Sequence, residues 1–357
     1  MARGVLLTLP LGRESAGVRI ALSLLGIGVL LVTIYDVLWT TLRLTSGGPI
    51  TAWVTNGLWK IATRLTRSHQ ALAVLGFFIV LFTVVLWVFL VWIGWTLIFL
   101  SDPRSVVGMM TGQPAGFWDR AYFAGCSIIT LGVTEFRPGS TGWRLVTLAA
   151  AANGFSLVSL IITYLLPIVG AELERRRLAV YITALGRTPH EILLRAWNGA
   201  DFGQLPDHLI ALTEPMMSVG QGHLAYPVLH CVHSSTRETA LAPSIAVLDE
   251  AITLFAGVCP EQRPDRGAFY PLRQAIAEFL STLAEAHLEP TWNPPPSPPL
   301  DPLREAGIVT VKDEEFRLAL ESLVDRRRLL LGLVEEEGWR WEDVTRSSSD
   351  LVSRMEL

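Results

Sequence analysis

The residues whose types and spacing could do chemistry lie in the string TLGVTE at positions 130–135, which joins two threonine hydroxyls, a glycine and a carboxylate. The string follows an amphipathic run, residues 117–130, that is about one helix long and too short to cross a bilayer. A short helix followed by a glycine-containing strand, between two long apolar stretches, is typical of a re-entrant loop. Irregular backbone at membrane depth is tolerated only where it lines a watery cavity, so the string predicts contact with water or ions.

Three apolar stretches are long enough to hold this loop in a membrane. Residues 70–101 and 145–171 carry no charged side chain, and residues 20–42 carry only Asp36. A helix needs about 20 apolar residues to cross the hydrocarbon core. We therefore predict three transmembrane helices. The first stretch is too long for a signal peptide and lacks a small-residue cleavage site, so we set that alternative aside.

The string TLGVTE resembles the potassium-channel filter TVGYG followed by Asp, in which backbone carbonyls replace the hydration shell of an ion. Tyr122 and Phe123 stand eight and seven residues before Thr130, where that family carries paired aromatic residues behind its filter. Trp143 then stands at the start of what would be a pore-lining inner helix. The resemblance covers roughly residues 71–170 and implies a subunit of a potassium-channel-like cation channel.

The resemblance implies a role for each residue of the inner half of the filter. Thr130 would offer its hydroxyl and carbonyl to the innermost ion, and Leu131 would offer its carbonyl. Gly132 would permit the backbone reversal that aims carbonyls at the axis. The only small species implied are the permeating monovalent cations, K⁺ or Na⁺, and no cofactor is expected.

The outer half departs from the family pattern, because Val133, Thr134 and Glu135 replace its Tyr, second Gly and Asp. A β-branched threonine at a position that ordinarily needs a positive φ would cost on the order of 1–3 kcal/mol if strained. We therefore expect fewer ion sites and weakened selectivity for potassium. Four Glu135 carboxylates around the mouth would concentrate cations, and divalent cations most strongly.

Two further positions each carry two interpretations. Gly154, in the inner helix, could be a gating hinge, and close packing by small residues explains it equally well. Asp36 is an ionisable residue within a span, which is a functional hypothesis by default. An ion pair with Arg43 or Lys60 at the membrane interface is the favoured interpretation of Asp36.

The predicted fold class is an all-α membrane protein with three transmembrane helices, a re-entrant pore loop and a helical cytoplasmic domain. Half of the residues are hydrophobic and 17% are charged, and charges recur every few residues after position 171. The expected divisions are 1–45 for the N-terminal segment and first transmembrane helix, 46–69 for an interfacial amphipathic helix, 70–171 for the pore domain, 172–290 for the helical cytoplasmic domain, 291–302 for a proline-rich linker, and 303–357 for a C-terminal helix and tail. Helices are expected at 189–198, 240–256, 272–287 and 316–334.

The distribution of basic residues predicts the topology. The connection at 43–69 and the sequence ERRR at 174–177 are basic, and both are expected on the cytoplasmic side. Three spans then place the N-terminus outside, which its own arginines oppose. We expect an integral protein of the cell (inner) membrane, with the C-terminal domain in the cytoplasm.

Several functional classes are set aside. The net charge of −4 leaves no basic excess for nucleic-acid binding. We find no Walker A, dinucleotide-binding or EF-hand string and no nucleophile motif, so no enzymatic activity and no catalytic residues are expected. No metal site is expected either, because a second spaced ligand pair is missing beside the one constellation of candidate ligands. That constellation comprises His223, His230, Cys231 and His233.

One filter strand cannot surround an ion, so the resemblance implies a homotetramer in a lipid membrane. The partner or ligand of the cytoplasmic domain is not indicated by any motif. The main alternative is a non-conducting membrane receptor or scaffold that acts through its helical domain. A potassium-transporter subunit is less favoured, because such pores need four loops in one polypeptide and this chain contains one.

Overall fold

The computed structural model describes residues 16–42, 47–65, 69–132, 134–226, 228–229, 234, 236–286 and 288–346. Within these ranges the chain is mostly helical, with one antiparallel pair of short strands. The helices are α1 (Ala16–Leu42), α2 (Pro49–Leu65), α3 (His69–Leu100), α4 (Phe117–Ile128), α5 (Thr141–Leu185), α6 (Pro189–Ala196), α7 (Leu205–Ala225), α8 (Leu241–Leu254), α9 (Arg266–Ala286), α10 (Asp301–Glu305), α11 (Asp313–Glu321), α12 (Val324–Glu336) and α13 (Glu342–Thr345). The strands are β1 (Val106–Gly108) and β2 (Phe136–Pro138).

Among the described residues, three helices are long and apolar enough to cross a membrane: α1, the Val74–Leu100 part of α3, and α5. Large apolar side chains such as Leu31 and Phe155 are exposed on them. Exposed apolar faces of this length are stable in lipid rather than in water. The prediction of three membrane-spanning helices is therefore confirmed for their length and apolar composition.

Helix α5 is longer than expected, since it continues past residue 171 to Leu185. The charged residues after 171 end the apolar stretch, but Glu and Arg are good helix formers and do not end a helix. Gly186 follows the last residue, and its N–H donates to the carbonyl of Ile182. The change in charge therefore marks the end of the apolar stretch rather than the end of the helix.

The described chain divides into two compact units, one containing residues up to 54 together with 81–165 and the other containing 55–80 together with residues from 166 onward. In the first unit, α1 and α3 approach closely at two glycines. A Cβ added to Gly26 would lie 2.7 Å from the carbonyl oxygen of Gly94. Small residues allow two helix backbones to approach at such a crossing.

Asp36 of α1 is fully buried in this first unit. Its carboxylate accepts hydrogen bonds from the backbone N–H of Ile50 at 2.8 Å, from the Thr51 hydroxyl at 2.6 Å and from the Trp87 indole N–H at 3.0 Å. The carboxylate therefore caps the N-terminus of α2, where free N–H groups favour a negative charge.

These contacts differ from the expected ion pair of Asp36. Within the described part of the chain, the hydrogen bonds to the carboxylate come from neutral groups of the backbone and of threonine and tryptophan side chains. The expected partner Arg43 lies outside the described residues. A negative charge buried at a helix N-terminus can be satisfied by several N–H and O–H donors without a cation.

The second unit has one hydrophobic core that runs through its helices. Leu178 and Ile182 from the end of α5 belong to this core together with Leu212 of α7 and Leu248 of α8. The helices expected at 189–198 and 240–256 correspond to α6 and α8, whereas α7 was not expected. α9 begins at Arg266, earlier than predicted, and Pro271 lies inside it.

The proline-rich segment at 291–302 is not a spacer between two separate cores. Leu288 before it, Leu300 within it and Leu330 after it are buried in the same cluster. The carbonyl of Pro296 also accepts a hydrogen bond from Arg327 at 2.7 Å. Prolines exclude regular structure, but their backbone carbonyls still bind donors, so the segment packs onto the helices. Residues before and after the segment therefore contribute to one core, and the expected division between 172–290 and 303–357 stays a prediction.

The helix expected at 316–334 is two helices, α11 and α12, and two arginines of α12 pair with buried carboxylates. Arg327 is buried and donates to Glu250 at 2.7 and 3.0 Å, and Arg326 pairs with the buried Asp249. Burial acts to raise the pKa of the Asp249 carboxyl, but Arg326 and neighbouring arginines outweigh it and lower that pKa. These side chains join α12 to α8.

Candidate functional site

The position of α4 is set by polar contacts at its start. The Asp119 carboxylate accepts the N–H of Gly116 at 3.0 Å, which satisfies one free donor before the helix. Arg120 is buried and donates to the carbonyl of Pro103 at 2.9 Å. The indole N–H of Trp92 on α3 donates to the carbonyl of Ala121 at 2.8 Å. These contacts therefore fix α4 to α3 and to the loop that follows α3.

The end of α4 lies directly against α5 at Gly154. A Cβ added to Gly154 would lie 2.0 Å from the carbonyl oxygen of Ile128, the last residue of α4. Because α5 runs through this position as continuous helix, the contact supports the close-packing interpretation of Gly154. Its expected role as a hinge stays a prediction.

After α4 the backbone turns sharply through the first three residues of TLGVTE. The N–H of Thr130 donates to the carbonyl of Ser127 at 3.2 Å, and that of Leu131 donates to Cys126 at 2.9 Å. Thr130 has a φ of 53° and Gly132 a φ of 75°. Glycine adopts this left-handed region without penalty, whereas for threonine it costs roughly 1–2 kcal/mol. The turn thus stores strain at Thr130.

In the outer half of the string, Thr134 does not adopt the positive φ that the family pattern has at this position. Within the described residues, Thr130 is the only non-glycine residue with a positive φ, and the φ of Thr134 is not positive. The side chain of Glu135 is exposed, and the backbone carbonyl of this residue accepts the N–H of Met109 at 2.8 Å. Val133 lies outside the described residues. The strained position is therefore at the inner end of the string.

A two-stranded hairpin fixes the outer end of the string. β1 and β2 pair antiparallel, with Val107 opposite Arg137. The N–H of Gly139 also donates to the carbonyl of Ser105 at 2.9 Å. Glu135 comes directly before β2, so the six-residue string is held at one end by α4 and at the other by the hairpin.

The two aromatic residues expected behind the filter have different surroundings. Phe123 is buried and meets the ring of Phe99 edge-on, with the centroids 5.3 Å apart. Tyr122 is 51% exposed. The structure therefore places only Phe123 inside the packing of its own chain.

Sequence reasoning missed two polar residues that support this region. The indole N–H of Trp143 donates to the Asp102 carboxylate at 2.9 Å, and that of Trp95 donates to the side-chain oxygen of Asn153 at 3.0 Å. Of the two acceptors, Asp102 directly follows an apolar stretch and Asn153 lies within one. Such residues need a partner in a membrane, and the nearby tryptophans were the available signal.

Among the described residues no group of three or more His, Cys, Asp or Glu side chains could hold a metal ion. His223 is buried against the ring of Phe279, with the centroids 5.8 Å apart. The other members of the candidate constellation, His230, Cys231 and His233, lie outside the described residues.

The length and apolar composition of α1, α3 and α5 define a membrane protein. The chain is 35% identical over 319 residues to the Bacillus subtilis (strain 168) protein described as "Uncharacterized membrane protein YdjJ", and the match covers 88% of this chain and 94% of that protein. The chain belongs to the family of membrane proteins that includes YdjJ. No protein-family model matches the chain, and no solved structure matches it.

Proposed function

We propose that the protein is a potassium-channel-like cation channel, in which residues 130–135 line the ion pathway. The proposal rests on the hydrogen bonding of the backbone carbonyls in the turn. Among the described residues, none donates a hydrogen bond to the carbonyls of Thr130, Leu131 or Gly132. Backbone carbonyls at membrane depth need a partner, and water or a cation is the partner that a filter provides.

The position of these carbonyls supports the same conclusion. The preceding helix, α4, is fixed by Arg120, Trp92 and the contact at Gly154, and the hairpin fixes the other end. Ion coordination requires a backbone that cannot collapse onto itself when the ion leaves. Two fixed ends supply that constraint.

A tetramer follows from the number of carbonyls that each chain offers. One strand cannot surround an ion, and four strands related by a cyclic axis can. Tyr122, Leu131 and Phe155 are large apolar or aromatic side chains that each chain leaves exposed. In a tetramer we expect neighbouring chains and lipid to cover them.

Selectivity depends on the outer half of the string. Thr134 does not adopt the left-handed conformation that the second glycine of a potassium filter supplies. We therefore infer fewer well-formed sites and weak discrimination of potassium from sodium. The exposed Glu135 carboxylates, one from each chain, attract cations to the mouth.

In this proposal, the chain from residue 172 onward lies in the cytoplasm of the cell and the hairpin faces outward. The basic sequence at 174–177 supports this orientation. The cytoplasmic unit is then continuous with α5, the inner helix, through residues 171–185.

The experiment combines native mass measurement with cation flux into liposomes. We expect assemblies of four 39.3 kDa subunits that admit monovalent cations. Gly132→Ala should reduce the flux, because an alanine Cβ meets no atom at this position but strains a φ of 75°. Gly142→Ala is the matched control, since its nearest contact would be 3.8 Å away.

A stable monomer or dimer would contradict the proposal. A tetramer without flux would favour the alternative of a receptor or scaffold that acts through the helical unit. Equal flux in the wild type and in Gly132→Ala would remove this string from the pathway.

A further inference from the structure

Helix α7 has a second apolar face besides the one that it packs into the core. Its buried side chains include Leu212 and Met216. Ile210, Met217 and Leu224 follow one another at intervals of seven residues, and they are 55%, 57% and 43% exposed. Seven residues make about two helical turns, so these three side chains form a line along the helix. A surface helix ordinarily has one apolar face. We call this second line the α7 seam.

A groove of about 300 Å³ runs beside the α7 seam, between α7 and α9. Met217 and Gly220 of α7 and Ala275 and Phe279 of α9 contribute to its walls. Gly220 keeps the groove open, because a Cβ added to it would meet the Cβ of Phe279 at 4.0 Å, which is an ordinary contact and not a clash. An apolar side chain of another helix can therefore insert between α7 and α9, as a knob enters a hole.

The spacing of the α7 seam matches a second copy of the same helix. Ile210 lies seven residues before Met217, and Leu224 lies seven residues after it. If two copies of α7 run antiparallel about a two-fold axis at Met217, Ile210 of each copy comes opposite Leu224 of the partner subunit. A two-fold interface requires this self-complementarity, in which the same surface of both copies is used.

The charge of Glu214 favours the antiparallel arrangement. Glu214 is exposed, three residues before Met217 on the edge of the α7 seam. Parallel copies would bring the two Glu214 carboxylates opposite each other, and like charges that face each other repel. In antiparallel copies, Glu214 comes opposite Gly220 of the partner subunit. The two Glu214 residues are then six positions apart along the axis, which is roughly 9 Å at the rise of a helix.

We propose that two copies of this chain pair antiparallel through the α7 seam. The pairing removes three large apolar side chains from water, which is the driving force for such a contact. It goes beyond the proposed channel function and does not depend on it. In a tetramer, four copies of α7 form two such pairs.

Disulfide cross-linking of the full-length protein in membranes tests the contact. The three native cysteines are first replaced by serine, and copper phenanthroline is the oxidant. A disulfide forms where two Cα atoms lie within about 7 Å. Met217→Cys places its cysteine on the two-fold axis, so the 39.3 kDa chain should shift to a covalent dimer on a denaturing gel. Asp207→Cys is the matched control, because it is exposed on the same helix, away from the axis, and should stay monomeric.

Ile210→Cys and Leu224→Cys test the register of the two helices. In either variant alone, the two cysteines of a pair are 14 positions apart along the axis, which is roughly 21 Å and out of reach. Neither variant should form covalent dimers alone. Co-expressed, the two variants should cross-link to each other. Met217→Glu in both chains should abolish that cross-link, because it places two like charges at the axis, and the melting temperature should stay unchanged because position 217 is exposed.

Equal cross-linking of Met217→Cys and Asp207→Cys would overturn the proposal, and so would covalent dimers of Ile210→Cys alone. If the cysteine of Met217→Cys were shielded from a soluble maleimide but did not cross-link, lipid or a different protein would cover the α7 seam, and the proposal would fail. Native mass measurement separates this result from the proposed function. A tetramer without the cross-link keeps the channel and removes the pairing, whereas a dimer with the cross-link does the reverse.

Discussion

The contact between α4 and α5 at Gly154 gives a prediction whose size follows from the coordinates. In Gly154→Ala, the new methyl group would lie 2.0 Å from the carbonyl oxygen of Ile128 and 2.7 Å from its carbonyl carbon. The obstacle is backbone, so no side-chain rotation relieves it. Ordinary carbon contacts need about 3.5 Å, and the end of α4 must move away from α5 by roughly 1 Å or more.

The energetic cost has two opposing parts. Overpacking of a tight contact costs about 1–3 kcal/mol, and alanine gains about 1 kcal/mol over glycine in a helix interior. We expect a net loss of stability of up to about 2 kcal/mol. Because Ile128 precedes Thr130 by two residues, the displacement should also reach the turn and reduce cation flux.

Thermal unfolding in detergent and liposome flux measure the two effects on the same preparations. Gly170→Ala is the control, because it lies in the same helix and its added methyl group would meet no atom within 4 Å. It should be as stable as the wild type or more stable, with flux retained. If Gly154→Ala matched Gly170→Ala in both stability and flux, the proposed packing of α4 onto α5 would be refuted.

Three further predictions concern other parts of the chain. Trp87→Phe removes one donor to the buried Asp36 carboxylate and should cost about 1.5–3 kcal/mol in unfolding free energy, whereas an unchanged melting temperature would show that the contact contributes nothing. Glu250→Gln leaves the Arg327 guanidinium buried without its charged partner and should cost roughly 3–5 kcal/mol in denaturant unfolding, and a loss under 1 kcal/mol would contradict this. A cysteine at Pro138 should react with an impermeant thiol reagent only from outside the cell, and labelling only from the cytoplasm would reverse the topology.

The number and position of the apolar spans could be predicted from the sequence, because an uncharged stretch about as long as the bilayer is thick marks each of them. The amphipathic run at 117–130 likewise corresponds to α4, which ends at Ile128. The end of α5 could not be predicted in this way, since a helix continues through charged residues that favour helical structure.

Most of the features that could not be predicted depend on contacts between residues far apart in the sequence. The partners of Asp36 lie 14 to 51 residues away in the chain, so no local pattern could distinguish them from an arginine or lysine. Thr130 adopts a left-handed φ of 53°, whereas local preference places that conformation at glycine. Leu300 is buried by helices on both sides of the proline-rich segment, and its own surroundings in the sequence are those of a linker.

The most direct test of the account is the bi-ionic reversal potential of single channels in planar bilayers, measured with potassium opposed to sodium and with divalent cations added. We predict cation-selective currents with weak potassium preference. Glu135→Gln should lower divalent block and conductance at low ionic strength without changing the potassium-to-sodium ratio, because it removes charge and keeps the backbone. Thr134→Gly should shift the reversal potential towards that of potassium, because glycine restores backbone freedom. Identical reversal potentials and identical divalent block in the wild type and both variants would contradict the assignment of residues 130–135 to the ion pathway.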